Sequence, residues 1–275
     1  MFFVLGANIK CLGCTEKKGR KDMGIELQRA NMWKRISAWL LDIILLGILA
    51  VGAGLLLSVV LGYNSHNDAL DAGYAKYEAA YGITFEITME DYNSMTDAER
   101  SNYDTAYQAM IADPEVVRNY NMVLNLTLVI TTLGILLAYL LLEFAVPLLF
   151  GNGQTLGKKV FGIGLIRNDG VQMNTMQLFV RTVLGKFTIE TMIPVYVIIM
   201  LFFNIVGLPG TLLLAALLLT QLIMLAVTRN RTPIHDMLSG TVAVDISSQR
   251  IFRTTEELIS YTKRVHAEKA ARQPY

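Results

Sequence analysis

Charged residues, cysteines and histidines are scarce in this 275-residue chain. Lys, Arg, Asp and Glu make up 17% of it, against roughly 25% in an average soluble domain. Hydrophobic residues reach 53%. Two cysteines are too few for a disulfide scaffold, and a net charge of +1 gives no reason to expect a nucleic-acid partner. This composition is that of an integral membrane protein in contact with the lipid bilayer, and we expect an all-α fold.

The sequence also lacks the residue patterns of most enzymes and metal proteins. It has no nucleophile motif, no phosphate-binding loop and no pair of histidines spaced for a metal, so we expect no enzymatic activity, no cofactor and no bound metal. Cys11 and Cys14 supply only half of the four ligands of a structural zinc site. Two interpretations of this pair stay open: a reduced cytosolic pair without a partner, and a zinc site shared by two chains.

Four apolar runs are long enough to cross a membrane, since a spanning helix needs roughly 20 residues. The third and fourth runs are separated by the turn sequence Gly-Leu-Pro-Gly at 207–210, which favours two tightly joined helices over one very long helix. We therefore predict a four-helix transmembrane bundle, with spans at 36–61, 122–150, 187–206 and 208–228.

The charges between the spans predict the orientation of the chain. Residues 62–121 contain eleven acidic and three basic residues, whereas the other three segments have an excess of Lys and Arg. Because Lys and Arg collect on cytoplasmic flanks, we predict an extracytoplasmic insert and cytoplasmic termini, in a bacterial cell membrane. The predicted cytoplasmic segments are 1–35, 151–186 and 229–275.

Helix-start signals occur within the acidic insert. Thr88 and Asp91 have the spacing of a capping box, and Asp113 followed by Pro114 is a second helix start. We therefore expect two or three short helices outside the membrane, the last of which continues into the second span.

The cytoplasmic segments contain signals for strands. An apolar run at 159–166 leads to the turn sequence 167–170, which is typical of a hairpin. Residues 241–246 form a further candidate strand, so we predict a small cytoplasmic β-element. Residues 173–186 have helical spacing with basic residues on one face, which favours an interfacial helix along the membrane surface.

Three acids lie within the predicted spans: Asp42, Glu143 and Glu190. A carboxylate there costs roughly 2.5–3.5 kcal/mol on insertion scales and faces protein or a water-filled cavity. Counting at 1.5 Å per residue places Asp42 and Glu143 roughly 10 Å inside the cytoplasmic interface, with Gln221 at a similar level. We expect the four side chains to form a cation or proton site, in which Asp42 and Glu143 share a proton. The alternative is that they only hold the helices together.

Three separated motifs resemble the RDD family of bacterial membrane proteins. They are the segment from Arg35 to Asp42, the loop Gly153–Lys159, and the segment 232–241 containing His235 and Asp236. The family is named for one Arg and two Asp, and the resemblance assigns these to Arg35, Asp42 and Asp236. Some members are associated with sodium/proton antiport, so the resemblance implies transport.

These observations predict two further features of the cytoplasmic interface and two alternative functions. Arg35 and Asp236 should form a structural ion pair, with His235 as an orienting residue. We expect either exchange of Na⁺ or K⁺ for H⁺, or a non-transporting scaffold or accessory subunit that binds a partner through its insert or tail. Four helices are few for a transport path, so we expect a homodimer or a partner membrane protein. The stripe Ala50, Gly54 and Ser58 offers a face for such a contact.

Overall fold

The computed structural model describes residue 28 and residues 30–202, 206–227 and 233–271. The Cys11 and Cys14 pair and most of the predicted segment 1–35 lie outside the described residues, as does the end of the fourth predicted span. Within the described part, the fold is an all-α membrane protein with one two-stranded sheet, as the composition predicted. Four helical stretches are long and apolar enough to cross a membrane: Met32–Val60, Pro114–Phe150, Thr175–Leu201 and Gly207–Met224.

The first span is α1, Met32–Val60, which begins where the Asn31 side chain accepts a hydrogen bond from the Trp33 amide. It packs along the second span. A Cβ at Gly134 would lie 3.2 Å from the Ala50 carbonyl oxygen and 3.3 Å from the Gly54 nitrogen, so glycine permits this close approach. The small-residue stripe that we expected at a subunit contact therefore faces this chain's own second span at Ala50 and Gly54.

The insert contains three helices before the second span: α2 (Tyr63–Tyr81), α3 (Met89–Ser94) and α4 (Asp97–Ala112). Reciprocal capping boxes start both of the later helices. A core between α2, α4 and the start of the second span contains Leu70, Met110 and Val116, with aromatic side chains packed around it. The acidic insert is therefore a folded helical unit attached to the N-terminal end of the second span.

The second span is one continuous stretch of three segments: α5 (Pro114–Tyr139), the π-helical segment π1 (Leu140–Ala145) and α6 (Val146–Phe150). The third is likewise continuous: α8 (Thr175–Phe179), the π-helical segment π2 (Val180–Met192) and α9 (Ile193–Phe202). The third span thus begins inside the predicted interfacial helix at 173–186. This stretch is therefore part of the third span and not a separate helix along the membrane surface. Its basic residues Arg181 and Lys186 are buried against neighbouring helices.

The fourth span is α10, Gly207–Val227, and it packs against α9. Between the second and third spans lie a short helix, α7 (Leu156–Val160), and the strand β1 (Ile163–Arg167). After the fourth span come α11 (Ile234–Ser239), the strand β2 (Thr241–Asp245) and α12 (Thr255–Ala271).

The two-stranded sheet joins segments that are far apart in the sequence. β1 runs antiparallel to β2, with Leu165 opposite Ala243. The turn at 167–170 forms as its sequence predicts, but it leads only to a single bridge between Ile166 and Gln172. In the predicted β-element, β1 therefore pairs mainly with β2, which follows the fourth span, and not with the residues after its own turn. This pairing holds the loop 151–174 and residues 233–245 at the same end of the helices.

Candidate functional site

The candidate site is a cluster of charged side chains at the ends of the spans opposite the acidic insert, centred on Glu143. This residue is 4% exposed. Lys186 Nζ donates to Glu143 Oε1 at 2.5 Å, and Arg181 Nη1 lies 4.0 Å from Oε2. Oε2 is buried and accepts no hydrogen bond, and only one other buried side-chain atom in the described residues, Arg100 Nε, is also without a hydrogen-bond partner.

A proline positions Glu143 against the third span. Pro147 has no N–H, so it cannot donate to the carbonyl of Glu143 four residues earlier. The Thr182 hydroxyl donates to this carbonyl at 2.9 Å. The proline thus exposes a backbone acceptor, and the third span satisfies it at the level of the acid.

Arg181 and Asp236 form the most deeply buried ion pair of the cluster. Both side chains are 2% exposed, and Arg181 Nε donates to Asp236 Oδ1 at 2.8 Å. Arg35 Nη2 lies 4.0 Å from Asp236 Oδ2, so the predicted partner is present but more distant than Arg181. Burial raises the pKa of Asp236, but Arg181 and His235 outweigh this effect and hold the pKa below its usual value. Asp236 is therefore ionised and paired.

His235 connects this pair to the third and fourth spans. Its backbone N–H donates to Glu190 Oε1 at 3.1 Å, and ring atom Nδ1 lies 2.7 Å from Oε2. The Gln221 side chain also hydrogen-bonds Glu190. Burial lowers the pKa of His235 below its usual value despite the opposing effect of Asp236. Glu190 and Gln221 are thus together, but they are joined to His235 rather than to Asp42.

Asp42 binds the loop between the second and third spans. Its Oδ2 accepts from the Thr155 hydroxyl at 2.5 Å, its Oδ1 accepts from the Gly157 amide at 2.8 Å, and Lys158 Nζ lies 3.6 Å away. A Cβ at Gly157 would lie 2.8 Å from Asp42 Oδ1. Only glycine lets the start of α7 approach this carboxylate so closely.

Lys158 stands in electrostatic contact with both acids that we expected to share a proton. No hydrogen bond joins Asp42 to Glu143 in the part of the chain that the structure describes. Lys158 interacts with both carboxylates, and burial together with Lys186 lowers its pKa from 10.5 to about 8. The two acids thus share Lys158 as a neighbour, and each accepts hydrogen bonds from its own donors, Thr155 and Gly157 for Asp42 and Lys186 for Glu143.

Sequence reasoning missed the three cations closest to the acids: Lys158, Arg181 and Lys186. The orientation of the chain alone explains an excess of positive charge near the membrane, and a helix of 3.6 residues per turn would separate Arg181 from Lys186. The π-helical segment brings residues five apart to the same side, so both face Glu143. The third span's interrupted hydropathy, with two basic residues just before an apolar run, was the available signal.

The sequence of residues 29–240 matches the pattern of the RDD family. The chain belongs to the RDD family. No curated protein and no solved structure matches it. In this RDD protein the three motif segments meet in one cluster, since Arg35 and Asp236 lie near each other and Asp42 binds the loop motif at Thr155 and Gly157.

The cluster of this RDD protein is electrically balanced. Among the described residues, no group of three or more His, Cys, Asp or Glu side chains is placed to hold a metal ion. Instead, each acid of the cluster lies next to a base or to His235, and the cluster includes residues of the first three spans. The charged members are the acids Asp42, Glu143, Glu190 and Asp236 and the bases Arg35, Lys158, Arg181 and Lys186.

Proposed function

We propose that this RDD-family membrane protein exchanges monovalent cations for protons, without enzymatic activity, at the charge cluster around Glu143. The observation that supports this proposal is the unsatisfied Oε2 of Glu143, a buried carboxylate oxygen with no hydrogen-bond donor. An acceptor of this kind is costly in a protein interior. A Na⁺ or K⁺ ion is a partner that would satisfy it.

The neighbouring ammonium groups supply the proton side of the exchange. A cation that enters the cluster adds a charge to a buried, balanced set, and such an excess charge is unfavourable. Lys158 is the proton donor in this proposal, because burial and the neighbouring Lys186 lower its pKa to about 8. The guanidinium groups of Arg35 and Arg181 stay protonated in proteins.

The orientation that we propose has both termini in the cytoplasm of a bacterial cell. Its support is the charge bias of the loops, since the acidic insert is on the opposite side from the basic segments. In intact cells, an impermeant thiol reagent should label Ser94→Cys and should not label Ser247→Cys. Labelling of position 247 alone would reverse the proposed orientation.

The exchange proposal is tested in proteoliposomes that contain a pH-sensitive dye. Imposed Na⁺ or K⁺ gradients should move protons, and Glu143→Gln should lower this flux at least tenfold. Glu115→Gln is the matched control, because Glu115 is exposed on the insert. Wild-type vesicles without cation-dependent proton movement would refute the proposal, and so would full activity of Glu143→Gln.

A scaffold or accessory subunit is the second candidate function, and it is favoured by the pairing of every acid in the cluster with a base or with His235. The double variant Glu143→Gln, Lys186→Met distinguishes the two candidates. It removes a charge of each sign and keeps the volume of the pair. A scaffold should tolerate this neutral pair, whereas an exchanger should keep its fold and lose its flux.

A further inference from the structure

The seam between the second and third spans contains two hydroxyl pairs outward of Glu143. The Tyr139 and Thr191 hydroxyls are 2.8 Å apart, and the Thr132 and Tyr196 hydroxyls are 2.6 Å apart. The second-span members lie at residues 132, 139 and 143, with spacings of seven and four that place them on one helix face. At 1.5 Å per residue, this line of polar groups extends roughly 16 Å from Glu143 towards the outside.

Thr132 also donates to the Leu128 carbonyl of its own helix at 2.6 Å, so its oxygen accepts from the Tyr196 hydroxyl. Four other hydroxyls in the spans contact only their own helix. Each donates to a carbonyl of that helix, which satisfies it without any contact to a neighbouring helix. These are Ser58, Thr127, Thr211 and Thr220. Among the described residues of the spans, hydroxyl–hydroxyl pairs between helices are therefore confined to the seam that ends at Glu143.

Tyr139 is placed where the seam meets the charge cluster. It is 9% exposed, packs edge-on against Phe187, and interacts electrostatically with both Glu143 and Glu190. Its hydroxyl can donate to Thr191 or accept from it. A group that both donates and accepts can receive a proton on one side and release one on the other, which an apolar side chain cannot do.

We propose that this seam is the outward path for protons and water between Glu143 and the extracytoplasmic side, with Tyr139 and Tyr196 as its positioning residues. The proposal rests on the proposed exchange function and adds a route to it. Thr132 and Tyr139 are seven residues apart, so a gap of roughly 10 Å separates the two hydroxyl pairs. Apolar side chains, among them Phe187, Met192 and Ile135, pack in this region. The proposed path therefore needs water molecules to enter the gap between the hydroxyl pairs when protons move.

Removal of single oxygen atoms tests the path. Tyr139→Phe and Tyr196→Phe should each lower the cation-dependent proton flux at least tenfold while the melting temperature in detergent stays within a few degrees. Tyr120→Phe is the matched control, because Tyr120 lies exposed at the outer end of the same helix. Unchanged flux in both seam variants would overturn the proposal, and so would a flux that falls only in proportion to folded protein.

Thiol labelling tests the same path without transport. In a chain with Cys11→Ser and Cys14→Ser, Thr132→Cys should react with an impermeant methanethiosulfonate from outside, since only a wetted thiol ionises. Leu133→Cys, at the same depth and 40% exposed to the lipid side, should react at least tenfold more slowly. Selective labelling at 132 in vesicles without flux would support the path and refute exchange. Equal absence of labelling at both positions would overturn the path, whatever the flux.

Discussion

The pair Arg181–Asp236 should contribute more to stability than any other ion pair in this chain. Asp236→Asn removes the negative charge that lies 2.8 Å from the buried guanidinium of Arg181. At an effective dielectric constant of 20, Coulomb's law gives roughly 6 kcal/mol for charges at that distance and about 4 kcal/mol at the 4.0 Å of Arg35. Because desolvation offsets much of this attraction, we expect a net loss of about 3 kcal/mol, near the lower end for a broken buried pair.

A double-mutant cycle measures the interaction directly. Arg181→Met, Asp236→Asn and the double variant are compared with the wild type by unfolding in mixed micelles, followed by intrinsic fluorescence. The double variant should recover part of the loss, since it removes both charges together. We expect a coupling free energy of about 2 kcal/mol or more, towards the upper end of measured couplings.

The pair Lys34–Asp245 is the matched control, because its atoms are 2.7 Å apart but the Lys34 side chain is 44% exposed. An exposed pair of this kind contributes between about 0 and 1 kcal/mol. A coupling for Arg181–Asp236 no larger than that of the control would refute the reasoning from burial. A larger loss for Arg35→Met than for Arg181→Met would show that the distances misidentify the principal partner of Asp236.

Two further predictions concern the loop helix α7. Gly157→Ala should lower stability by about 1–3 kcal/mol, since the new methyl group would lie 2.8 Å from Asp42 Oδ1. The control Gly52→Ala, with nothing within 4 Å of the new methyl group, should be neutral or stabilise α1 by up to about 1 kcal/mol. Equal effects of the two substitutions in thermal unfolding would contradict the close approach. The pKa of Lys158 falls from 10.5 in the unfolded chain to about 8 in the folded chain. Between these two pH values the unfolded chain binds more protons than the folded chain. The free energy of unfolding should therefore rise with pH across this range by roughly 3 kcal/mol. Lys158→Met should remove that rise, and parallel pH profiles for the two proteins would show that the ammonium is not buried.

The spans and helix starts could be predicted from the sequence because their causes are local. Apolar length determines which segments can cross the membrane, and capping residues such as Thr88 and Asp113 act on the next few amides. The sheet was only half predictable. The turn at 167–170 is a local signal, but the pairing of β1 with β2 depends on the packing of helices that bring distant segments together.

The site was less predictable, since the positions of the acids follow from the sequence and their partners do not. Counting residues along a regular helix gives Asp42 and Glu143 similar depths in the membrane. Such a count does not reveal which basic residues are buried beside the acids. The π-helical segments change which residues share a face, as Arg181 and Lys186 show. The loop helix α7 places Lys158 beside Asp42, and this contact depends on the glycine at 157.

The charge balance of the cluster limits the stoichiometry of the proposed exchange. Four acids and four bases sum to zero with His235 neutral, and every member is buried or partly buried. An added Na⁺ makes the sum +1, a state that costs several kcal/mol in a poorly hydrated interior unless a positive charge leaves. One proton must therefore depart for each cation that binds, so the exchange should be electroneutral. Vesicle flux should then be the same with and without an imposed membrane potential, and a rate that follows the potential would require an unbalanced charge that this cluster does not contain.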